Sequence, residues 1–182
     1  MFFIERKGAV KVWEPAARRT VTLGNFPTGT DGDAGGLGLT LARDFEKSGQ
    51  LYTIRVPAQG AARLVLARHT LEGEKLTDER AVLEIPLGPG RTQSHCGAGL
   101  AWDGAGNLLI GVGDNMGPQD VPAIHPEEAG RDARGTAGNS QDLRGKILRI
   151  TPKPDGSYGS PAGNLFKDAA QGRPEVFASG VR

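Results

Sequence analysis

Cysteine, aromatic residues and long apolar runs are all scarce in this chain of 182 residues. It has one cysteine, two tryptophans, two tyrosines and six phenylalanines. A single cysteine excludes a disulfide bond within the chain and says little about the compartment. The apolar runs are only a few residues long, far below the roughly 20 that a membrane-spanning helix needs. The sequence therefore predicts a protein with no membrane span and a modest core for its length.

An excess of one charge and a leader segment are missing as well. Lysine and arginine number 22 against 21 aspartates and glutamates, for a net charge of +1. This balance does not favour nucleic acid or an anionic membrane as a partner. No positively charged segment followed by an apolar one opens this sequence, so we expect no signal peptide within these residues. The opening Met1-Phe2-Phe3-Ile4 reads directly into a strand, which favours a natural start further upstream.

Glycine and proline, in contrast, are abundant, with 28 and 12 residues. They separate short alternating or β-branched runs, and helical periodicity is nearly absent. Phe45 to Gly49 predicts a single helical turn that ends at the glycine. The predicted strands are 2–4, 9–13, 20–23, 37–42, 51–56, 63–70, 81–85, 99–102, 107–112, 146–150 and 175–178.

An internal repeat indicates how these strands are arranged. Segments 38–41 and 51–54 (GLTL and LYTI) resemble segments 99–102 and 108–111 (GLAW and LLIG), with offsets of 61 and 57 residues. A repeat of strand pairs near this period favours a β-propeller, whose blades run roughly 40–50 residues or more. A β-sandwich is the alternative, but it gives no reason for a repeat.

We therefore predict an all-β protein, a β-propeller of which this chain covers roughly three blades. A blade cannot bury its faces alone, and a ring must close to protect its edge strands. Residues 1–182 would then be a truncated part of a propeller domain. Segments 37–56 and 99–113 should occupy equivalent positions in their blades.

Several motifs are better explained by turns or solvated loops than by chemistry. Residues 35–38 (GGLG) lack the third glycine of a dinucleotide fingerprint, and residues 31–33 (DGD) lack the glutamate that ends a calcium loop. The three histidines show no zinc-ligand spacing, so we assign no metal ligand in this chain. A late basic stretch is interrupted by aspartates and has no interleaved aromatics, which favours a solvated or ion-paired loop. Its members are Arg131, Arg134, Arg144, Lys146 and Arg149.

His95 and Asp114 form the main candidate site. His95 lies just before a glycine-flanked strand, and Asp114 follows the next strand, nineteen residues later. Alternate connections of up-and-down strands lie at the same end of a sheet, so the two residues should meet. They would offer a general base and a carboxylate that holds or tunes it. A structural histidine bonded to the backbone is the alternative.

Five segments, taken in order, carry a resemblance to a known family. They are FIERKGAVKVWEP, GGLGLTLARDFEKSGQLY, SHCGAGLAWDGAGNLLIGVGDN, NSQDLRGKILRITPKPDGSYGSPAGNLF and RPEVFASGVR. They resemble the glucose/sorbosone dehydrogenases, soluble aldose dehydrogenases that use pyrroloquinoline quinone on a six-bladed β-propeller. The resemblance implies that the chain is the N-terminal part of such a domain.

The resemblance also implies roles for four residues. His95 matches the family's catalytic base, which takes the proton of the sugar's anomeric hydroxyl while hydride passes to the quinone. Asp114 matches the acidic residue that borders the same pocket. Arg182 matches an arginine that lines the active site, and Asp33 stands where a glutamine reaches it. We assign Arg182 and Asp33 to substrate or cofactor binding.

Cofactors, partners and location follow from the same resemblance. The implied cofactors are pyrroloquinoline quinone and Ca²⁺, most of whose ligands would lie beyond residue 182. The implied partners are an aldose substrate and an electron acceptor such as a cytochrome c, in the periplasm or outside the cell. The quinone would carry the redox chemistry, and the protein would supply position, a base and charge. A non-catalytic propeller module that binds carbohydrate or protein is the alternative function.

Overall fold

A computed structural model of the chain describes residues 1–88, 93–117 and 135–181. Over these residues it shows three antiparallel sheets and one short helix. The chain divides into two units, Met1–Pro86 and Leu87–Arg182. In the described ranges no helix has the length and apolar character to cross a membrane.

The first unit holds two sheets. Their strands are β1 (Phe2–Ile4), β2 (Ala9–Glu14), β3 (Arg19–Asn25), β4 (Gly36–Leu41), β5 (Gln50–Arg55), β6 (Arg63–Glu72) and β7 (Lys75–Pro86), with helix α1 (Phe45–Ser48) before β5. The first sheet has the order β1-β2-β3 and the second the order β4-β5-β6-β7. Side chains alternate between the faces of each strand, and the inward ones form a core around Val10, Leu23, Leu51 and Leu76.

The second unit holds one sheet of five strands. They are β8 (Gly97–Trp102), β9 (Leu108–Val112), β10 (Lys146–Pro152), β11 (Tyr158–Gly159) and β12 (Val176–Ser179). The order is β11-β10-β9-β8, and β12 also pairs with β10. Ile110 and Leu148 are fully buried on one face, whereas Gly111 and Ile147 on the other face are only half-buried.

The predicted repeat is present in the strand pairing. Gly38 pairs with Ile54 between β4 and β5, and Gly99 pairs with Gly111 between β8 and β9. The register shifts once in each ladder, just before these glycines. The two strand pairs therefore share one pattern, with the offsets expected from the sequence.

The predicted strands all occur, with shifts at their ends. β7 begins at Lys75 and not at residue 81, because Gly73, with a φ of 62°, turns the chain directly out of β6. The predicted helical turn is α1, and Gly49 ends it with a φ of 64°. β11 was not predicted, since its two residues, 158 and 159, are too few to show alternation.

The sequence predicted that the basic residues lie in a solvated or ion-paired loop. This prediction is right for Arg144 and wrong for Lys146. Arg144 forms an ion pair with Asp142, with a distance of 2.6 Å between Nη2 and Oδ2. Lys146 is fully buried. Its amine is bonded to backbone carbonyls, which makes the burial tolerable. Arg131 and Arg134 lie outside the described residues.

Candidate active site around His95 and Asp114

Two glycines allow the start of β8 and the end of β9 to lie in close contact. A Cβ on Gly113 would lie 1.9 Å from the carbonyl oxygen of His95, and a Cβ on Gly97 would lie 2.5 Å from the nitrogen of Gly113. Gly97 also has a φ of 73°, which residues with side chains rarely adopt. Because both positions are glycine, the backbones can approach, and residues 95 and 114 come side by side.

His95 and Asp114 are in direct contact. Nδ1 of His95 lies 3.2 Å from Oδ1 of Asp114. The His95 side chain is 30% exposed and that of Asp114 is 1% exposed. A buried carboxylate needs hydrogen-bond donors, and Oδ1 of Asp114 also accepts a bond from the backbone N–H of Met116 at 3.0 Å. The pair thus joins a buried acid to a histidine that a ligand can reach.

This contact selects one form of the His95 ring. An ionised carboxylate only accepts hydrogen bonds, so Nδ1 carries the proton and Nε2 keeps its lone pair in the neutral ring. The backbone of His95 has a φ of 46°, a conformation that costs about 1–3 kcal/mol and often marks functional sites. The backbone N–H of Asn115 bonds to the His95 carbonyl at 3.2 Å and helps to hold it. The ring is therefore presented as a proton acceptor, as a general base requires.

Asn115 and Thr136 support the pair, and the sequence prediction missed both roles. Oδ1 of Asn115 accepts a bond from the Gly88 N–H at 2.6 Å, and its Nδ2 donates to the Ser94 carbonyl at 3.2 Å. The hydroxyl of Thr136, which is buried, donates to the Asp114 carbonyl at 3.0 Å. Asn115 has a φ of 57°, in the left-handed region that asparagine tolerates. An asparagine at this position was therefore a sequence signal for the turn. Nothing near Thr136 in the sequence gives such a signal.

His95 lines a pocket of about 590 Å³ in the second unit. The other lining residues are Gly97, Ala98, Gly99, Gly111, Val112, Gly113, Ile147 and Val181. A Cβ on Gly99 would have no neighbour within 4 Å among the described atoms, and one on Gly111 would approach only Gly99, at 3.9 Å. Packing within the described chain therefore does not require glycine at these two positions. Bare backbone in a strand allows another group to approach closely, as a flat ring would.

The other candidate residues lie elsewhere in the chain. Asp33 is exposed in the turn before β4, in the first unit. Arg182 falls outside the described residues, although its neighbour Val181 lines the pocket. In the part of the chain that the structure describes, no group of three His, Cys, Asp or Glu residues could hold a metal ion.

Comparison with known sequences places this site in context. The model of the glucose/sorbosone dehydrogenase family matches residues 1–182. Aldose sugar dehydrogenase YliI of Escherichia coli K12 is 26% identical over 187 residues, which covers 100% of this chain and 45% of that protein. An uncharacterized protein of Synechocystis sp. is 34% identical over 134 residues, which covers 72% of this chain and 29% of that protein.

Solved structures match over the whole chain. An oxidoreductase (glucose dehydrogenase) from Thermus thermophilus gives a TM-score of 0.78 at 28% identity, covering 100% of this chain and 49% of that one. The soluble aldose sugar dehydrogenase of Escherichia coli, in its apo form, gives 0.74 at 27% identity, covering 100% and 48%. The PQQ-bound aldose sugar dehydrogenase of Streptomyces coelicolor gives 0.67 at 23% identity, covering 99% and 45%.

The chain spans about half the length of these solved relatives. Its three antiparallel sheets therefore correspond to about three blades of the six-bladed propeller, as predicted, and the β-sandwich alternative is wrong. Full coverage by the family model, together with the strand repeat and the structural match, leads to one conclusion. The chain belongs to the glucose/sorbosone dehydrogenase family.

Proposed function

We propose that the complete protein is a pyrroloquinoline quinone-dependent aldose dehydrogenase and that residues 1–182 are the N-terminal part of its propeller domain. Family membership and the similarity to aldose sugar dehydrogenases support this proposal. His95 and Asp114 are its catalytic residues, and Arg182 and Asp33 contact substrate or cofactor. The protein acts in the periplasm or outside the cell and passes electrons to an acceptor such as a cytochrome c.

One comparison within the chain carries the assignment of His95 and Asp114. The pairs β4–β5 and β8–β9 share the same register. The outermost pairs of the two ladders are Gly36–Arg55 and Gly97–Val112. His95 and Asp114 each lie two residues beyond the second of these pairs, and the residues at the same places beyond the first pair are Ala34 and Pro57. A strand pair of this kind therefore closes without a histidine or a carboxylate. Since the fold does not demand the pair, a chemical role is favoured over a structural histidine.

The pair provides proton transfer at the sugar. When bound, pyrroloquinoline quinone would supply the acceptor for the hydride that leaves the anomeric carbon of the sugar. The hydroxyl on the same carbon gives its proton to Nε2 of His95, so that a carbonyl forms and the aldose becomes a lactone. Asp114 accepts the Nδ1–H bond throughout and stabilises the positive charge that His95 gains.

The pocket fits the ring system of this cofactor. Gly99 and Gly111 leave bare backbone for a flat ring, and His95 lines the same pocket. The pocket-lining residues in the described ranges include no lysine or arginine to pair with the quinone's carboxylates. Those contacts fall to Arg182 and to the rest of the protein. No cluster in the described ranges suits calcium, so we assign calcium no step.

Substitution of His95 tests the proposed function in the complete protein. His95→Ala should lower turnover of the reconstituted protein on aldoses by roughly 10²–10⁴, because a general base is lost from the transition state. Quinone affinity, measured by absorbance titration, should stay nearly unchanged. Asp114→Asn should also lower turnover, because an amide can donate to Nδ1 and favour the other tautomer.

A matched control separates chemistry from stability. His69→Gln changes a buried histidine of the first unit and should keep its turnover. A structural role for His95 predicts the reverse pattern in His95→Ala, a lower melting temperature with turnover intact, and that result would end the catalytic assignment. A folded wild type that oxidises none of a panel of aldoses would instead favour the non-catalytic module that binds carbohydrate or protein.

A further inference from the structure

Lys146 is a fully buried lysine at the start of β10. Its side-chain amine donates to three backbone carbonyls, those of Thr136 at 2.7 Å, Ala137 at 2.9 Å and Arg144 at 2.9 Å. An ammonium group has three protons, so each of them has an acceptor. Burial lowers the pKa of Lys146, with Asp142 opposing this shift and Arg144 adding to it.

The bond to Thr136 connects Lys146 to the candidate active site. The carbonyl of Thr136 accepts from Lys146, while its hydroxyl donates to the carbonyl of Asp114. A second connection runs through the backbone, where the N–H of Gly145 donates to the carbonyl of Gly113 at 2.8 Å. The segment that Lys146 organises therefore holds Asp114 and the residue before it.

A buried charge needs a reason, because an apolar side chain of similar volume is often equally or more stabilising at such a position. Lys146 bonds only to backbone carbonyls in the contacts described, so it recognises the path of the chain and not the identity of its neighbours. Such a group fixes the position of a loop. The loop fixed here is the one that carries the Thr136 hydroxyl to Asp114.

We propose that Lys146 is a positioning residue for the active site. By holding Thr136 it fixes Asp114, whose carboxylate then sets the tautomer and orientation of the His95 ring. Its effect on turnover rests on the function proposed above, whereas its effect on the ring of His95 does not.

Two substitutions in the complete protein test this role. Thr136→Val removes the hydroxyl but keeps the carbonyl that Lys146 binds, and Lys146→Met removes the amine. The readout is the ¹⁵N NMR shift of the His95 ring nitrogens, assigned by their loss in His95→Gln. The wild type should show the Nδ1–H tautomer, and both variants should show a mixture. Turnover on aldoses should fall roughly 10- to 100-fold with little change in KM, as expected for a misplaced base.

Thr53→Val is the matched control. Thr53 is buried, as Thr136 is, and its hydroxyl lies 2.9 Å from Nε2 of His69. The substitution therefore removes a comparable buried hydroxyl that lies next to a different histidine. It should lower the melting temperature about as much as Thr136→Val and leave the His95 shifts unchanged.

The outcomes distinguish this proposal from the proposed function. Unchanged His95 shifts in folded Thr136→Val and Lys146→Met would overturn the positioning role, whatever the turnover. If Lys146→Met does not fold, Thr136→Val alone decides. A wild type without turnover, in which both variants still shift the His95 tautomer, would refute the function and support the positioning role.

Discussion

At the scale of single residues, His69 occupies a site that disfavours a proton. It is fully buried on β6, with the Thr53 hydroxyl 2.9 Å from Nε2 and the Phe26 ring tilted against it at a centroid distance of 4.5 Å. Nδ1 has no hydrogen-bond partner among the described residues. Burial lowers the pKa of His69 to about 4, with Glu79 opposing this shift and Arg55 adding to it. The protonated form is therefore favoured in the unfolded chain and not in the folded one.

This difference predicts a pH dependence of stability. Between the unfolded pKa of about 6.5 and the folded pKa of about 4, only the unfolded chain binds the proton. His69 therefore contributes to the free energy of unfolding in full above pH 6.5. As the pH falls to 4, up to about 3 kcal/mol of this free energy is lost. Urea unfolding of wild type and His69→Gln across this range measures it. The wild-type curve should fall more steeply, and parallel curves would contradict the prediction.

The residue scale also shows what sequence reasoning can reach. The meeting of His95 and Asp114 was predictable, because strand topology brings the start of β8 and the end of β9 together. Lys146 and Thr136 were not predictable as support for the site. Their bonds go to backbone carbonyls, which every residue possesses, so no pattern of residue types records them.

At the scale of secondary structure elements, β11 is held by a side-chain contact as well as by its backbone ladder. Its two residues pair with the end of β10. The hydroxyl of Tyr158 donates to Oε1 of Glu175 at 2.7 Å, and Arg173 bonds the same oxygen at 3.1 Å. Burial, together with the bond to Glu175, raises the pKa of Tyr158 to about 12. Strands with several alternating residues were predictable, but this strand has only two residues and its side-chain contact lies seventeen residues away.

Loss of the Tyr158 hydroxyl should therefore destabilise this end of the sheet. A hydrogen bond to a charged group contributes about 1.5–3 kcal/mol to the free energy of unfolding. Because Arg173 still pairs with Glu175 in Tyr158→Phe, this variant should lose an amount near the lower end of that range. Urea unfolding of Tyr158→Phe, Glu175→Gln and the double variant gives the coupling free energy between the two side chains. Additive effects of the two substitutions would show that the bond contributes nothing.

At the scale of the whole molecule, the fold was predictable from the internal repeat and not from any single strand. Short runs such as Leu108–Val112 fit a sandwich or a propeller equally well. The recurrence of a glycine-led strand pair favours repeated blades, and the pairing of Gly38 with Ile54 and of Gly99 with Gly111 reproduces it. Ligands for the cofactors that the resemblance implies were not predictable in the same way, because the resemblance assigns most of them to positions beyond residue 182.

The exposed face of the third sheet leads to a prediction for the isolated 182-residue chain. Leu109 is only half-buried there, and Phe177 is 40% exposed with the Arg149 guanidinium 4.5 Å from its ring centroid. The opposite face of the same strands is buried, whereas this apolar face is only partly covered by the described residues.

Apolar sheet surface of this kind promotes association between chains. In sedimentation velocity, the isolated chain should therefore form species larger than a monomer as its concentration rises. Leu109→Lys places a charge on the exposed face of the sheet and should reduce this association. The buried face of the sheet is left unchanged. In the complete propeller proposed above, further blades would cover the face, so the complete protein should sediment as one species over the same concentrations. A compact monomer of the isolated chain, with a sharp unfolding transition, would show that the third sheet needs no cover.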